Sequence, residues 1–207
     1  MSEELDPNLL THQYLYVPWT DGVDMLAIGE ALGLYVAQHF KVRPTIVTVT
    51  KQSVSTRRSF EKLNIVTERS GFVPENSVVI AWCPSRKVMQ KVNDRKNFVV
   101  LVEWPSERFE AWAKLVGAYN VVTREVMSAN LNNEAVKALE GVVWEGYNGW
   151  HDETARMLTL ARLRELDEAG GYDRDIVIQY AVMERSLTSI ERLEKILNQF
   201  EASRVSA

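Results

Sequence analysis

Two stretches of the chain hold unbroken apolar runs, Ser-Val-Val-Ile-Ala-Trp at 77–82 and Asn-Phe-Val-Val-Leu-Val-Glu-Trp at 97–104. Both are rich in β-branched and aromatic residues, too short for helices and bounded by polar or turn residues, so they predict strands. A strand that does not alternate is covered on both faces, which puts the pair at the centre of a parallel sheet. Further strands are expected at 14–17, stopped by Pro18, at 45–49, introduced by Pro44, and at 119–122, with a short sixth at 142–144.

Helical spacing fills the gaps between them. Over 21–40, Met25, Leu26, Ile28, Ala31, Leu32, Tyr35 and Val36 recur at three- and four-residue steps. Gly29 and Gly33, one turn apart, permit close approach to a sheet, and Asp21 is the expected cap with Asp24 beside it. Helices are also expected at 53–64, at 85–92, from 106 onward with Phe109, Trp112, Leu115 and Val116 as the inner stripe, and at 134–140; a charged turn at 93–96 separates two of these elements. Strand and helix thus alternate with short links, which forces right-handed parallel crossovers. The expected fold is α/β, Rossmann-like and doubly wound, with a mainly parallel sheet of five or six strands.

From His151 the pattern changes to helix alone, 152–169 and 174–202 around a Gly170-Gly171 turn. The expected division is a Rossmann-like domain over 1–150 and a C-terminal helical hairpin over 151–207. The last helix carries a stripe of Met183, Leu187, Ile190, Leu193, Leu197 and Phe200, which must either pack on its own chain's sheet or form a homodimer seam.

Composition narrows the function classes. The 207 residues carry 28 acidic and 24 basic side chains, scattered rather than blocked, for a net charge of −4, so double-stranded nucleic acid is an improbable partner. The single cysteine, Cys83, allows neither an internal disulfide nor a cysteine-based zinc site and fits a reducing compartment. No apolar run is long enough for a bilayer, and the polar lead-in at 1–11 lacks a signal-peptide core, so no membrane partner and a cytoplasmic location are expected.

In an open parallel sheet ligands bind beyond the carboxyl ends of the strands. The residues expected there include five of the six tryptophans, Trp19, Trp82, Trp104, Trp144 and Trp150, whose flat faces suit a planar ligand or a protein anchor. The candidate ligand-binding set is Trp19, Asp21, Lys51, Ser53, Trp82, Ser85, Arg86, Trp104 and Trp144. Overlapping that set at Lys51 and Ser53, the basic segment 50–58 offers hydroxyls with Lys51, Arg57 and Arg58 to an anion, although adjacent arginines on a helix diverge and a solvated basic face has the same composition.

Cofactor signatures are missing. The loop after the first strand, Pro-Trp-Thr-Asp-Gly-Val-Asp, has neither the Gly-x-Gly-x-x-Gly of a dinucleotide site nor the Gly-Lys-Ser/Thr of a P-loop, and its two aspartates would repel phosphate, which disfavours NAD and P-loop ATP. For covalent chemistry the topology permits one constellation, Cys83 with His151 as base, oriented by Glu103 or Glu145. Asp21 with Asp24, or Glu103 with Glu145, suit a hard cation, but nothing spaces them as a ligand set and no metal site is expected. The expectation is a non-catalytic or regulatory module that binds a planar or phosphorylated ligand or a partner protein at its strand ends. Its rivals are a transferase or hydrolase acting on a nucleotide or sugar phosphate, with Lys51 and Arg86 holding the anion, and an assembly protein dimerising through 174–202.

Overall fold

The computed structural model describes residues 7–92 and 96–205. Residues 1–6 of the expected lead-in and 93–95 of the expected charged turn lie outside the described residues. The chain divides into two compact units, Met1–Ser128 and Ala129–Ala207.

In the first unit β1 (Tyr14–Val17) leads through α1 (Met25–His39) to β2 (Thr45–Val47) and β3 (Asn64–Val66). Then follow β4 (Val78–Trp82), α2 (Arg86–Met89), β5 (Phe98–Val102), α3 (Glu110–Val116), β6 (Tyr119–Asn120) and β7 (Glu125–Val126). Among the described residues the strands form one seven-stranded sheet in the order β3-β2-β4-β5-β1-β6-β7, one strand more than the upper expectation. Every pairing is parallel except β6 with β7. The two apolar runs lie side by side in register from Val78↔Phe98 to Trp82↔Val102, and from Val78 and Val99 onward every residue of both strands is buried.

Alternate residues of each strand serve opposite layers. Leu15, Val17, Ile80, Val100 and Val102 join Met25, Leu32 and Val36 of α1 in one core cluster. A side chain on Gly29 or Gly33 would collide with Val102 or Ile80, so the glycines are what allow α1 to lie this close. On the opposite face Tyr14 meets Trp112 of α3 edge-on at 5.8 Å, with Phe109 and Trp112 fully buried. Helices on both faces make the sheet doubly wound.

Three local readings are corrected. The helix expected over 53–64 is replaced by two 3-10 turns, Lys51–Val54 and Arg58–Phe60, followed by β3. Hydroxyl side chains there compete for the backbone, as Ser55 Oγ does by donating to the Gln52 carbonyl at 2.9 Å, and Asn64–Val66 gains a full ladder on β2. The strand expected at 142–144 is the end of α4 (Asn133–Glu145), because Ala135, Ala138, Leu139, Val142 and Val143 form one buried helical stripe; three apolar residues alone do not reveal their period. The expected cap Asp21 instead accepts from Trp19 Nε1 at 3.0 Å, and Asp24 caps α1 through Ala27 N.

The second unit contains α4, α5 (Glu153–Glu168), α6 (Arg174–Glu184) and α7 (Leu187–Val205), so it begins at Ala129 and is larger than the hairpin expected from 151. The helix expected over 174–202 breaks at Arg185, whose backbone is extended and whose guanidinium donates to the Val143 carbonyl at 2.9 Å. Ile190, Leu193, Leu197 and Phe200 of the expected stripe are buried, and α7 packs on α5 and α6. Among the described residues no helix is long and apolar enough to cross a membrane.

Candidate functional site

The chain leaves the neighbouring strands β1 and β5 in opposite directions. From β1 it crosses by α1 toward β2 over one face, and from β5 it crosses by α3 to β6 over the other. Loops that diverge in this way open a cleft beyond the carboxyl ends of the two strands, the usual ligand position in doubly wound sheets. A cavity of about 760 Å³ lies there, lined by Tyr16, Pro18, Trp19, Glu103, Arg108, Glu110, Lys114, Asn120, Thr123, Glu125, Val126, Met127 and Ser128. That is the size of a nucleotide- or drug-sized site.

Glu103 holds the floor of the cleft. It is 1% exposed, directly after β5, and its carboxylate accepts four hydrogen bonds. Oε1 takes Tyr16 Oη at 2.6 Å and Phe109 N at 2.7 Å; Oε2 takes Arg108 Nη1 at 2.9 Å and Trp19 N at 3.0 Å. Two of these donors belong to β1 and its loop and two to the loop before α3, so one buried charge ties the diverging loops together. Burial first, and then the hydrogen bond to Glu103, push the Tyr16 phenol well above its ordinary range, while the hydrogen bond to Glu103 raises Arg108. With every strong acceptor site occupied, Glu103 is a clamp on the loops rather than an open base.

Across the cleft, Asn120 ends β6 and turns the chain back into β7. Its Oδ1 accepts from Val122 N at 2.9 Å and Thr123 N at 3.2 Å, an Asx turn that also ends the strand expected over 119–122. Arg124 completes the reversal in the left-handed region at φ 60°. The rim carries the Glu110–Lys114 ion pair at 2.7 Å, and Trp19 meets Trp104 edge-on at 4.9 Å.

Of the residues expected at the site, Trp19 and Glu103 line this cleft, with Asp21 and Trp104 each in contact with Trp19. The others go elsewhere. Trp82, 2% exposed, meets Phe60 edge-on at 5.2 Å and lies under the Arg57 guanidinium, which pairs with Glu30 at 3.0 Å. Lys51 and Ser53 are exposed on the Lys51–Val54 turn, where Ser53 shares a hydrogen bond with Thr50. Ser85 donates to Glu68 and caps α2, and the Arg86 amide donates to Glu107 at 2.8 Å. Trp144, 73% exposed, lies in α4, and His151 lies in the link to α5; neither follows a strand.

Cys83 follows β4 in a left-handed conformation, φ 44°, and its burial pushes the thiol up to about 12 despite the pull of Arg57. A thiol so raised stays protonated near neutrality and is a poor nucleophile. Glu145 is 3.9 Å from Arg162 in the helical unit. Among the described residues no three His, Cys, Asp or Glu side chains gather as a metal-ligand set.

Sequence reasoning missed Tyr16, Arg108 and Asn120. Tyr16 sits inside a strand, where a tyrosine reads as packing, and Arg108 sits in an ordinary helix lead-in. Asn120 did carry a signal, an Asx-turn residue ahead of Val-Val-Thr-Arg, but the two valines favour continuation of the strand. No protein-family model, curated protein or solved structure matches this chain.

Proposed function

We propose that the first unit is a non-catalytic binding module that takes a small ligand with a flat ring in the cleft between β1, β5 and β6. The observation that carries this reading is the fourfold hydrogen-bonded Glu103, which fixes both cleft loops before any ligand arrives. A preorganised cleft loses less on binding. Trp19 offers it an aromatic face, and Arg108, Asn120 and Thr123 offer polar groups that set orientation.

The groups available for chemistry support binding over turnover. Glu103 is fully occupied, and the Tyr16 phenol and Cys83 thiol are both shifted toward their protonated forms. Of Lys51, Arg86, Glu103 and His151, which a phosphate-handling transferase or hydrolase would need together, Glu103 alone lines the cleft. The single cysteine suits action in a reducing compartment, which we take to be the cytoplasm.

The test is a two-dimensional ¹H–¹⁵N titration that follows the six tryptophan indole signals against a panel of nucleosides, nucleotides, sugar phosphates and aromatic amides. The Trp19 indole is expected to move with at least one class. A spectrum unchanged across the panel would remove the reading.

A further inference from the structure

Asn120 holds a polar group that the fold does not use. The residue is 8% exposed and lines the cleft. Backbone N–H groups can only donate, so the side-chain atom facing Val122 N and Thr123 N is the oxygen, and the amide orientation is fixed. The remaining Nδ2 has no hydrogen-bond partner among the described residues. That donor is open to solvent at the cleft wall, so a ligand acceptor there competes for it with water alone and not with another protein group.

Two further features bear on what completes it. Arg108 gives Nη1 to Glu103 and keeps its other N–H groups, so the same cleft holds a second donor. Charge argues against a phosphate as the group they meet. Glu103 is balanced by Arg108 and Glu110 by Lys114, while Glu125 has no partner among the described residues and leaves the lining net negative. A dianion would meet that excess, whereas a neutral carbonyl would not.

We infer that the cleft selects a neutral, flat ligand that presents a carbonyl oxygen to Asn120 Nδ2, with Trp19 alongside its ring and Arg108 as second donor. This rests on the binding reading above and names its ligand class. A uracil- or carboxamide-bearing ring has the required shape: a planar π-face with an acceptor oxygen in its own plane. Phosphorylated derivatives of the same ring bind less well.

The test uses the full chain, with uridine and nicotinamide as neutral probes and uridine 5′-monophosphate as the charged one. In the wild-type spectrum a neutral probe shifts the Asn120 side-chain NH₂ signals together with the Trp19 indole, and the monophosphate binds more weakly than uridine. Asn120→Asp keeps an oxygen for Val122 N and Thr123 N but replaces the free donor by an acceptor. It should keep the thermal midpoint and lose at least about tenfold in affinity for the neutral probe. Equal binding by Asn120→Asp, Asn120 signals that stay still while Trp19 moves, or tighter binding of the monophosphate would overturn the ligand class and leave the cleft as a binding site. No response from Trp19 to any probe would remove both. The NH₂ readout uses the wild-type protein and does not depend on how the variant folds.

Discussion

Tyr16 Oη donates to Glu103 Oε1 at 2.6 Å, joining two neighbouring parallel strands across 87 residues of sequence at the point where the chain leaves them in opposite directions. Tyr16→Phe removes one of four donors and leaves the carboxylate three, so a loss of about 1–2 kcal/mol is expected. Glu103→Gln is worse. Its amide oxygen can serve Tyr16 and Phe109, but its NH₂ then faces the donors Trp19 N and Arg108, and a loss of about 3 kcal/mol or more follows. Urea unfolding of the two variants checks the ranking. A milder effect for Glu103→Gln than for Tyr16→Phe would mean that the carboxylate is not what joins the loops.

Alkaline pH should expose the burial of Cys83. Its thiol is pushed from an ordinary 9.0 up to about 12, so the unfolded chain gives up this proton at lower pH than the folded one. The associated stability is complete below pH 9 and is lost as pH climbs from about 9 toward 12. The phenols of buried Tyr16 and half-buried Tyr172, also raised, add losses of the same sign at higher pH. Cys83→Ala should flatten the first part of this decline. Alkylation of the native thiol at pH 8 should be about a hundredfold or more slower than in urea-unfolded protein. Equal rates would place a reactive thiolate after β4 and reopen nucleophilic chemistry there.

Gly33 sets how closely α1 approaches the sheet. A Cβ at this position would stand 2.6 Å from Ile80 Cγ1, in the fully buried middle of β4. Alanine gains about 1 kcal/mol of helix propensity over glycine, but overpacking a rigid core costs about 1–3 kcal/mol. Gly33→Ala is therefore expected to lower the thermal midpoint, and Gly29→Ala, which meets Val102, should act in the same direction. A rise in the midpoint would show that α1 moves away without loss.

The parts of the fold legible in the sequence are those that one local pattern decides. The runs ending at Trp82 and Val102 can only be doubly buried strands, and the alternation of elements implies parallel crossovers. Strand order carries no such signature, and with it the identity of the site was hidden. That β5 lies beside β1, and so brings Glu103 to Tyr16, depends on which faces pair after collapse. Glu103, directly after a strand, and Trp19, one proline beyond one, were visible for that reason. Arg108 and Asn120 were not, since each becomes informative only through a residue distant in sequence or through a turn that competes with strand propensity. Errors elsewhere have the same origin: Val142 and Val143 read equally as strand or helix until α5 is placed against them.

The boundary between the two units gives the last prediction. A cut after Trp150 follows the change of pattern in the sequence, whereas the compact units meet between Ser128 and Ala129. A fragment of residues 1–150 would carry α4 without α5 and α6, and its Ala135, Ala138, Leu139, Val142 and Val143 stripe would lose the surface that buries it. An exposed stripe of this kind promotes association. A fragment of residues 1–128 keeps every strand of the sheet and none of α4. The shorter fragment is therefore expected to be monomeric and to unfold cooperatively, and the longer one to aggregate, as read by sedimentation and circular dichroism. A monomeric, cooperative 1–150 beside an aggregating 1–128 would show that α4 completes the sheet unit, and the division would then lie where the sequence pattern changes.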